Sequence, residues 1–260
     1  MKQSLERDPR SHQTSLAIGE TYRFMRRRDD AVRYLDRALY LEPRSSGAQS
    51  EKFAVLRSVM DDTAGARRFL EEYADRMEPI ALQGRLASLA YYQGDLENAL
   101  RIRREHVPGS FRNIGTIAFL LGNRQLQQAY GDSLLLRGNT RLERVPEPYR
   151  TIPYRTVLNP HVDLSLGNAL LGNEEEAIAG ARRAVELLPV SLDALRGLDA
   201  VINMARVYAI LGHEEEAIEQ LEYQLSVVSF RTASDFRKDP LYAPFRDNPR
   251  FRAMLEAHGN

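Results

Sequence analysis

Apolar side chains recur along much of the chain with the spacing of amphipathic α-helices. The clearest stretch is QTSLAIGETYRFMRRRDDAVRYLDRALYLEPRS, which divides into two helical segments around the arginine run Arg26–Arg28. Residues 137–160 differ, because they contain four prolines and no sustained helical period. The pattern predicts an all-α chain with one irregular segment near its middle.

Small residues recur at fixed distances within the first helical stretch. Counted from Gly19, Tyr22 lies three positions on, Ala31 twelve, Ala38 nineteen and Pro43 twenty-four. Small residues let two helix axes approach closely, and a larger side chain at such a crossing costs about 1–3 kcal/mol. Proline ends a helix. This arrangement resembles the tetratricopeptide repeat (TPR), a helix pair of roughly 34 residues.

The same positions return further along the chain with varying fidelity. Three clear units have a glycine at the turn and an alanine in the second helix: Gly94 with Ala99, Gly172 with Ala177 and Ala184, and Gly212 with Ala217. Two weaker units span residues 47–77 and 109–136. Near the end, Asn248 and Pro249 form a helix N-cap and first turn. The resemblance implies a right-handed α-solenoid of about six TPR-like helix pairs with a C-terminal capping helix.

The domain organisation follows from these units. We expect four regions that stack as one continuous solenoid: N-terminal repeats at 1–136, a connecting segment rich in proline and arginine at 137–158, C-terminal repeats at 159–229 and a cap at 230–260. Pro9 lies 34 residues before Pro43, so residues 1–10 match the end of a truncated repeat. We therefore expect the chain to begin inside a longer array; the alternative is a first repeat that has degenerated.

Composition narrows the functional classes. Apolar residues make up 43% of the chain, which is enough to bury a core. Cysteine is absent, which excludes disulfides, thiolate metal sites and cysteine nucleophiles. No apolar run is long enough to span a bilayer, and the N-terminus lacks the apolar core of a signal peptide. We expect a cytoplasmic protein with no membrane segment.

The charge pattern argues against nucleic acid as a partner. The net charge is zero, although residues 1–160 carry 26 Lys and Arg against 20 Asp and Glu. A nucleic-acid binder usually has a stronger basic excess. Arginine outnumbers lysine by 33 to 3, which favours planar, bidentate contacts wherever arginines face a groove.

No catalytic or metal-binding pattern stands out. The phosphate-binding loops, the H-E-x-x-H motif and the G-x-S-x-G motif are all absent from the sequence. The acidic triplets Glu174–Glu176 and Glu214–Glu216 open helices, where negative charge is favourable. Asn173 with Glu176 also resembles a capping box. We therefore predict a protein that is not an enzyme and needs no metal or cofactor.

The concave face of the predicted solenoid is the best candidate site. The TPR resemblance implies that inner faces of the first helices line a groove for an extended peptide or a partner helix. Its predicted residues are Arg23, Phe24, Arg27, Arg85, Ser88, Tyr91, Tyr92, Arg112, Asn113, Thr116, Asn203 and Arg206. Aromatic rings beside arginines offer stacking and hydrogen bonds. The alternative is that Phe24, Tyr91 and Phe119 only pack between repeats. The paired Lys and Asn with which related proteins clamp a chaperone carboxylate are replaced by Leu16 and Glu20, so that specialised role is not expected.

Residues 162–255 resemble a more specific module. The segments HVDLSLGNALLGNEEEAI, MARVYAILGHEEEAIEQLEYQLSV and DPLYAPFRDNPRFRAML are similar to the TPR tails of bacterial multidomain signalling proteins. Those proteins carry a serine/threonine kinase, an adenylate cyclase or a winged-helix regulator. We expect a scaffold that binds a protein or peptide partner of unknown identity. The alternative is a ligand-responsive regulatory segment of a larger signalling protein. The oligomeric state is not predicted.

Overall fold

The computed structural model describes residue 8, residues 10–146 and residues 155–259, with side chains in the last range from residue 159 onward. The predicted truncated repeat at residues 1–10 lies almost wholly outside the described residues. The described chain forms six helix pairs: α1 (His12–Phe24) with α2 (Arg28–Leu41), α3 (Ser46–Ala54) with α4 (Thr63–Glu72), α5 (Pro79–Tyr92) with α6 (Leu96–His106), α7 (Phe111–Leu120) with α8 (Arg124–Glu143), α9 (Arg155–Leu171) with α10 (Glu174–Leu187), and α11 (Gly197–Leu211) with α12 (Glu214–Ser226).

The helices of each pair pack on each other, and successive pairs stack along the chain. No strand occurs within the described ranges. The prediction of an all-α solenoid of about six helix pairs is therefore confirmed. No described helix combines the length and apolar character that crossing a membrane requires.

The turn within each pair needs a left-handed backbone, which explains the recurrent glycine. Four turn glycines have φ between 66° and 84°: Gly94, Gly122, Gly172 and Gly212. Such angles are free of strain only for glycine. In the first two pairs Arg26 (φ 55°) and Asp61 (φ 57°) hold this conformation instead. These two turns are therefore strained relative to the other four.

Close helix crossings account for the small residues of the repeat. A methyl group added at Gly19 would lie 2.7 Å from Cγ of Leu35, so only glycine fits there. Ala31 is completely buried in the same crossing. The packing reason inferred from the sequence is confirmed for this pair. The longest helices, α8 and α9, cross at Gly131 and Gly167, where an added methyl on Gly167 would lie 3.0 Å from the Gly131 carbonyl oxygen.

The middle of the chain is more helical than its prolines suggested. Residues 137–143 continue α8, and residues 155–160 begin α9 with Pro160 inside the helix. The prediction that residues 137–160 lack sustained helix is wrong at both ends, while residues 147–154 lie outside the described residues. The reason is tertiary packing: Gly138 sits against Leu164, which fixes both helices across the proline.

After α12 the chain turns back along the solenoid. It forms the short helix α13 (Ala233–Lys238), a 3-10 segment (Pro240–Asp247) and helix α14 (Pro249–Ala257). Asn248 caps α14 by accepting from the backbone N–H of Arg250 at 2.8 Å. Phe251, Met254 and Leu255 are buried, which confirms the predicted capping helix. The 3-10 segment and α14 share one core with α11 and α12.

Candidate functional site

Residues 229–239, termed here the groove segment, pack against predicted groove residues of α1 and α5 and against the turns of the first two helix pairs. Phe230 stacks against Phe24 at the end of α1, with ring centroids 3.8 Å apart. The guanidinium of Arg23 lies 4.5 Å from the centre of the same Phe230 ring. Two predicted groove residues are therefore in contact with the chain's own C-terminal region.

Asp235 anchors the groove segment to the second helix pair. Its carboxylate lies 2.9 Å from Nη1 of Arg57 and accepts a hydrogen bond from Oγ of Ser58 at 2.8 Å. Burial alone would raise the pKa of this carboxyl, but Arg57 and Arg231 lower it below its ordinary range. Arg57 and Ser58 belong to a π-helical turn, residues 55–59, at the end of α3. Such turns occur frequently at functional sites.

The two strained turns also contact the groove segment. Arg26 donates a hydrogen bond from Nη2 to the carbonyl oxygen of Arg231 at 3.4 Å. Asp61 accepts one from Oγ of Ser234 at 2.8 Å and forms an ion pair with Lys238. Strain of this kind persists where surrounding contacts compensate for it. The non-glycine residues at these turns are thus explained by contacts with residues 229–239.

A partly enclosed cavity of about 220 Å³ lies between the groove segment and α5, α7 and α11. Seven predicted groove residues line it: Ser88, Tyr91, Tyr92, Arg112, Asn113, Thr116 and Arg206. The groove segment contributes Arg231 and Asp239. The hydroxyl of Tyr91 donates to Asp239 at 2.5 Å. Burial and the nearby Asp239 carboxylate raise the pKa of Tyr91 well above its ordinary range.

Arginines dominate the wall of this cavity. Arg57, Arg103, Arg112, Arg206 and Arg231 line it, with Asp239 as the one carboxylate among the lining residues. The guanidinium of Arg57 lies 4.1 Å from the centre of the Tyr92 ring and forms an ion pair with Asp235 of the groove segment. The cavity therefore carries a large excess of positive charge.

Arg112 is held by a buried carboxylate behind the cavity. Asp163 of α9 is completely buried and accepts from Nε of Arg112 at 2.6 Å. Arg137 and Arg141 of α8 contact the same carboxylate at 2.7 and 3.0 Å. This cluster joins α7, α8 and α9 and fixes the position of Arg112.

Arg103 and Arg206 differ from Arg57 and Arg112, which each pair with a carboxylate. Across the described part of the chain, neither forms an ion pair with a carboxylate. The Nε atom of Arg103 is buried and has no hydrogen-bond partner among the described residues. Burial lowers the pKa of Arg103 from its ordinary value. Within the described ranges, the guanidinium of Arg103 is thus partly desolvated without a counterion, and that of Arg206 also lacks one.

Three predicted groove residues lie away from the cavity. Arg27 is exposed at the first turn and packs over the Tyr22 ring at 4.8 Å. Arg85 donates to Oγ of Ser50 at 2.7 Å. Asn203 is 2% exposed and donates to Ser165 at 2.8 Å, so it joins α11 to α9 in the interior. That the twelve residues bind a partner stays a prediction.

The sequence interpretation missed Arg57, Arg103 and the whole groove segment. Arg103 lies on the second helix of its pair, whereas the TPR resemblance implies inner-face positions on first helices. The start of α13 had a recognisable signal, because Thr232 and Asp235 have capping-box spacing and form that box. The capping box expected at Asn173 is absent: that side chain donates to Asn168 at 3.1 Å instead.

The acidic triplets behave as helix starts. Glu174 and Glu214 are the first residues of α10 and α12. Oε1 of Glu174 also lies 2.9 Å from Nε2 of His213. This contact links the turns of the last two helix pairs. Among the side chains that the structure describes, no three His, Asp or Glu residues converge in a metal-binding arrangement.

Comparisons with known proteins agree with this architecture. The family model for the tetratricopeptide repeat matches residues 12–45, which is the first helix pair. The crystal structure of the APC/C hetero-tetramer Cut9–Hcn1 superposes with a TM-score of 0.51 over 98% of this chain at 14% identity. The chain spans 44% of the length of that protein. No curated protein matches the sequence significantly.

A second solved structure aligns with most of this chain. A tetratricopeptide repeat protein from Parabacteroides merdae ATCC 43184 aligns with 96% of this chain and 93% of its own, at 14% identity and a TM-score of 0.43. At 14% identity a solved structure supports the fold alone. Only the first of the two, with its TM-score of 0.51, is similar enough in structure to do so. The chain is an α-solenoid of helix pairs whose first pair matches the tetratricopeptide repeat family.

Proposed function

We propose that the protein is a non-catalytic scaffold that binds a protein or peptide partner in its concave groove, in competition with its own groove segment. TPR folds generally bind protein partners. The observation that supports the proposal is the groove segment itself, which packs against the predicted groove residues Arg23, Phe24 and Tyr91. Its contacts indicate the chemistry of a partner: an aromatic ring against Phe24 and carboxylates near Arg57 and Tyr91.

The spacing of these contacts defines a partner motif. Phe230, Asp235 and Asp239 are the contacting residues, so a partner would carry an aromatic residue followed by acidic residues five and nine positions later. Aromatic and charged anchors of this type provide most of the binding energy at interfaces. The arginines of the groove would favour carboxylates at these two positions.

The proposal is tested with a labelled peptide that copies residues 229–240, SFRTASDFRKDP. In the wild-type chain the tethered segment competes at an effective concentration on the order of millimolar, so the peptide binds weakly. Asp235→Asn in the chain removes the partner of Arg57 and weakens the tethered segment. We expect the peptide to bind this variant at least about tenfold more tightly by fluorescence anisotropy.

Two controls make the result specific. Asp247→Asn changes an exposed aspartate beyond the groove and is expected to behave as wild type. A peptide with both aspartates replaced by asparagine is expected to lose most of its affinity. Equal peptide affinity for wild type and the Asp235→Asn variant would contradict the proposal, provided circular dichroism shows that both are folded.

A second candidate function is the ligand-responsive regulatory segment of a larger signalling protein. The observation that favours it is the same groove segment, because an element held by a few hydrogen bonds, ion pairs and one ring contact is suited to switching. An immunoblot for the native protein distinguishes the candidates. A band well above 29.6 kDa supports a fused regulator, and a band at 29.6 kDa supports a separate adaptor.

The double variant of Tyr92 and Arg112, the simplest groove mutant on sequence grounds, is a poor test of either candidate. Arg112 helps to neutralise the buried Asp163, and Tyr92 packs against Arg57. Their removal would perturb the scaffold itself.

A further inference from the structure

We infer that the arginine-lined cavity is a binding site for a small multivalent oxyanion, either a phosphate or a polycarboxylate. The site goes beyond the proposed function, because it needs no protein partner. It adjoins the contacts made by residues 229–239, because Tyr91 and Asp239 belong to its wall. It lies behind them, where the groove segment closes over α5, α6, α7 and α11.

The first argument is charge. Arg57 and Arg112 already have carboxylate partners, but Arg103 and Arg206 have none among the residues described. Removing a guanidinium from water is unfavourable unless a counterion or hydrogen bonds replace the lost hydration. Arginine cannot avoid this cost by losing its proton. Two unpaired guanidinium groups facing one cavity therefore indicate that an anion belongs between them.

The second argument is the hydrogen-bonding capacity of the wall. The buried Nε of Arg103 lacks an acceptor, and guanidinium groups bind phosphate and carboxylate oxygens in a two-pronged geometry. Ser88, Asn113 and Thr116 add neutral polar groups beside the arginines. The space of about 220 Å³ is suited to a small ion and not to a folded element of a partner.

The site is also coupled to the groove segment. Arg231 and Asp239 belong to that segment and line the cavity. An anion bound there would attract Arg231 and so stabilise the closed position of residues 229–239. By linkage, displacement of the segment would weaken anion binding by the same factor.

The test measures the thermal midpoint and the titration heat of the full chain with sodium phosphate, sodium succinate and sodium citrate. Sodium chloride at equal ionic strength is the reference. We expect at least one multivalent anion to raise the midpoint and to bind with one site per chain. Separate titrations with phosphate, succinate and citrate show whether the site prefers a phosphate or a polycarboxylate.

Matched variants assign the effect to the cavity. Arg103→Gln is expected to raise the dissociation constant at least about tenfold, because one charge-assisted contact is lost. In chloride alone this variant should be as stable as wild type or more stable, because an uncompensated charge is removed. Arg104→Gln changes the next, exposed residue of α6 and should bind like wild type.

Two outcomes would overturn the inference. One is a midpoint that responds to phosphate and carboxylates no more than to chloride. The other is an equal response in the Arg103→Gln, Arg104→Gln and wild-type chains, which would mean a general salt effect only. If Arg103→Gln fails to fold, Arg206→Gln on α11 serves as the second cavity variant. Because no peptide is present, these results are independent of the peptide-competition test.

Discussion

Replacement of the buried Asp163 should destabilise the solenoid strongly. Three arginines from two neighbouring helices contact its two carboxylate oxygens, at 2.6 Å for Arg112, 2.7 Å for Arg137 and 3.0 Å for Arg141. Asp163→Asn keeps the size of the side chain but removes the charge. Its amide N–H₂ group would also face guanidinium donors. The cluster then holds three cations with no anion at its centre.

The magnitude follows from burial. Breaking a buried ion pair by removing one partner costs about 3–5 kcal/mol. The arginine side chains retain 22–47% exposure, so water offsets part of the loss and we expect a value near about 3 kcal/mol. For a chain of this size that is roughly a 6–12 °C fall in the thermal midpoint.

Urea unfolding followed by circular dichroism at 222 nm measures the effect. Asp132→Asn on the surface of α8 is the control and should change the unfolding free energy by less than about 0.5 kcal/mol. Arg141→Gln removes the most exposed of the three partners and should cost less than Asp163→Asn. A loss below about 1 kcal/mol for Asp163→Asn would refute the reasoning, since it would mean that the arginines do not need this carboxylate.

Three further predictions concern packing, strain and pH. Gly167→Ala should destabilise by about 1–2 kcal/mol, because its methyl group meets the Gly131 carbonyl at 3.0 Å, whereas Gly84→Ala, with no atom within 4 Å, should stabilise by about 0.5–1 kcal/mol in thermal unfolding. Arg26→Gly should raise the unfolding free energy by about 0.5 kcal/mol by relieving the left-handed backbone; a decrease would mean that the contact with Arg231 outweighs the strain. Burial, with Arg183 nearby, lowers the pKa of His161 below 6.5, so its contribution to stability is complete above pH 6.5 and is lost as the pH falls through the folded value. His161→Gln should reduce this pH dependence in denaturation measured from pH 7.5 to 5, and an unchanged slope would contradict the assignment.

The helix pairs were predictable because their determinants are local. Gly19 and Ala31 mark a crossing, Gly94 and Gly212 mark turns, and Asn248 marks the start of the last helix. Each needs only its neighbours in sequence to be recognised. The prediction for the connecting segment was wrong because its determinants are not local. There, the contacts of Gly138 and Gly167 between α8 and α9 join residues 22 or more positions apart and stabilise both helices.

The candidate site was predicted only in part. The inner-face spacing predicted that Tyr91, Tyr92 and Arg112 lie close together, and all three line one cavity. The groove segment was not predicted because its contacts join residues as far apart in sequence as Ser58 and Asp235. The π-helical turn at residues 55–59 also shifts the helical phase, so regular spacing does not place Arg57 on the inner face.

The central claim is that residues 229–239 lie in the groove and give way to a partner. Hydrogen-exchange mass spectrometry of the full chain tests it most directly, with and without saturating amounts of the peptide SFRTASDFRKDP. The account predicts slow exchange of α13 in the free protein and faster exchange when the peptide is bound, with α14 unchanged. Rapid exchange of α13 in the free protein, or exchange that stays slow with the peptide bound, would contradict it.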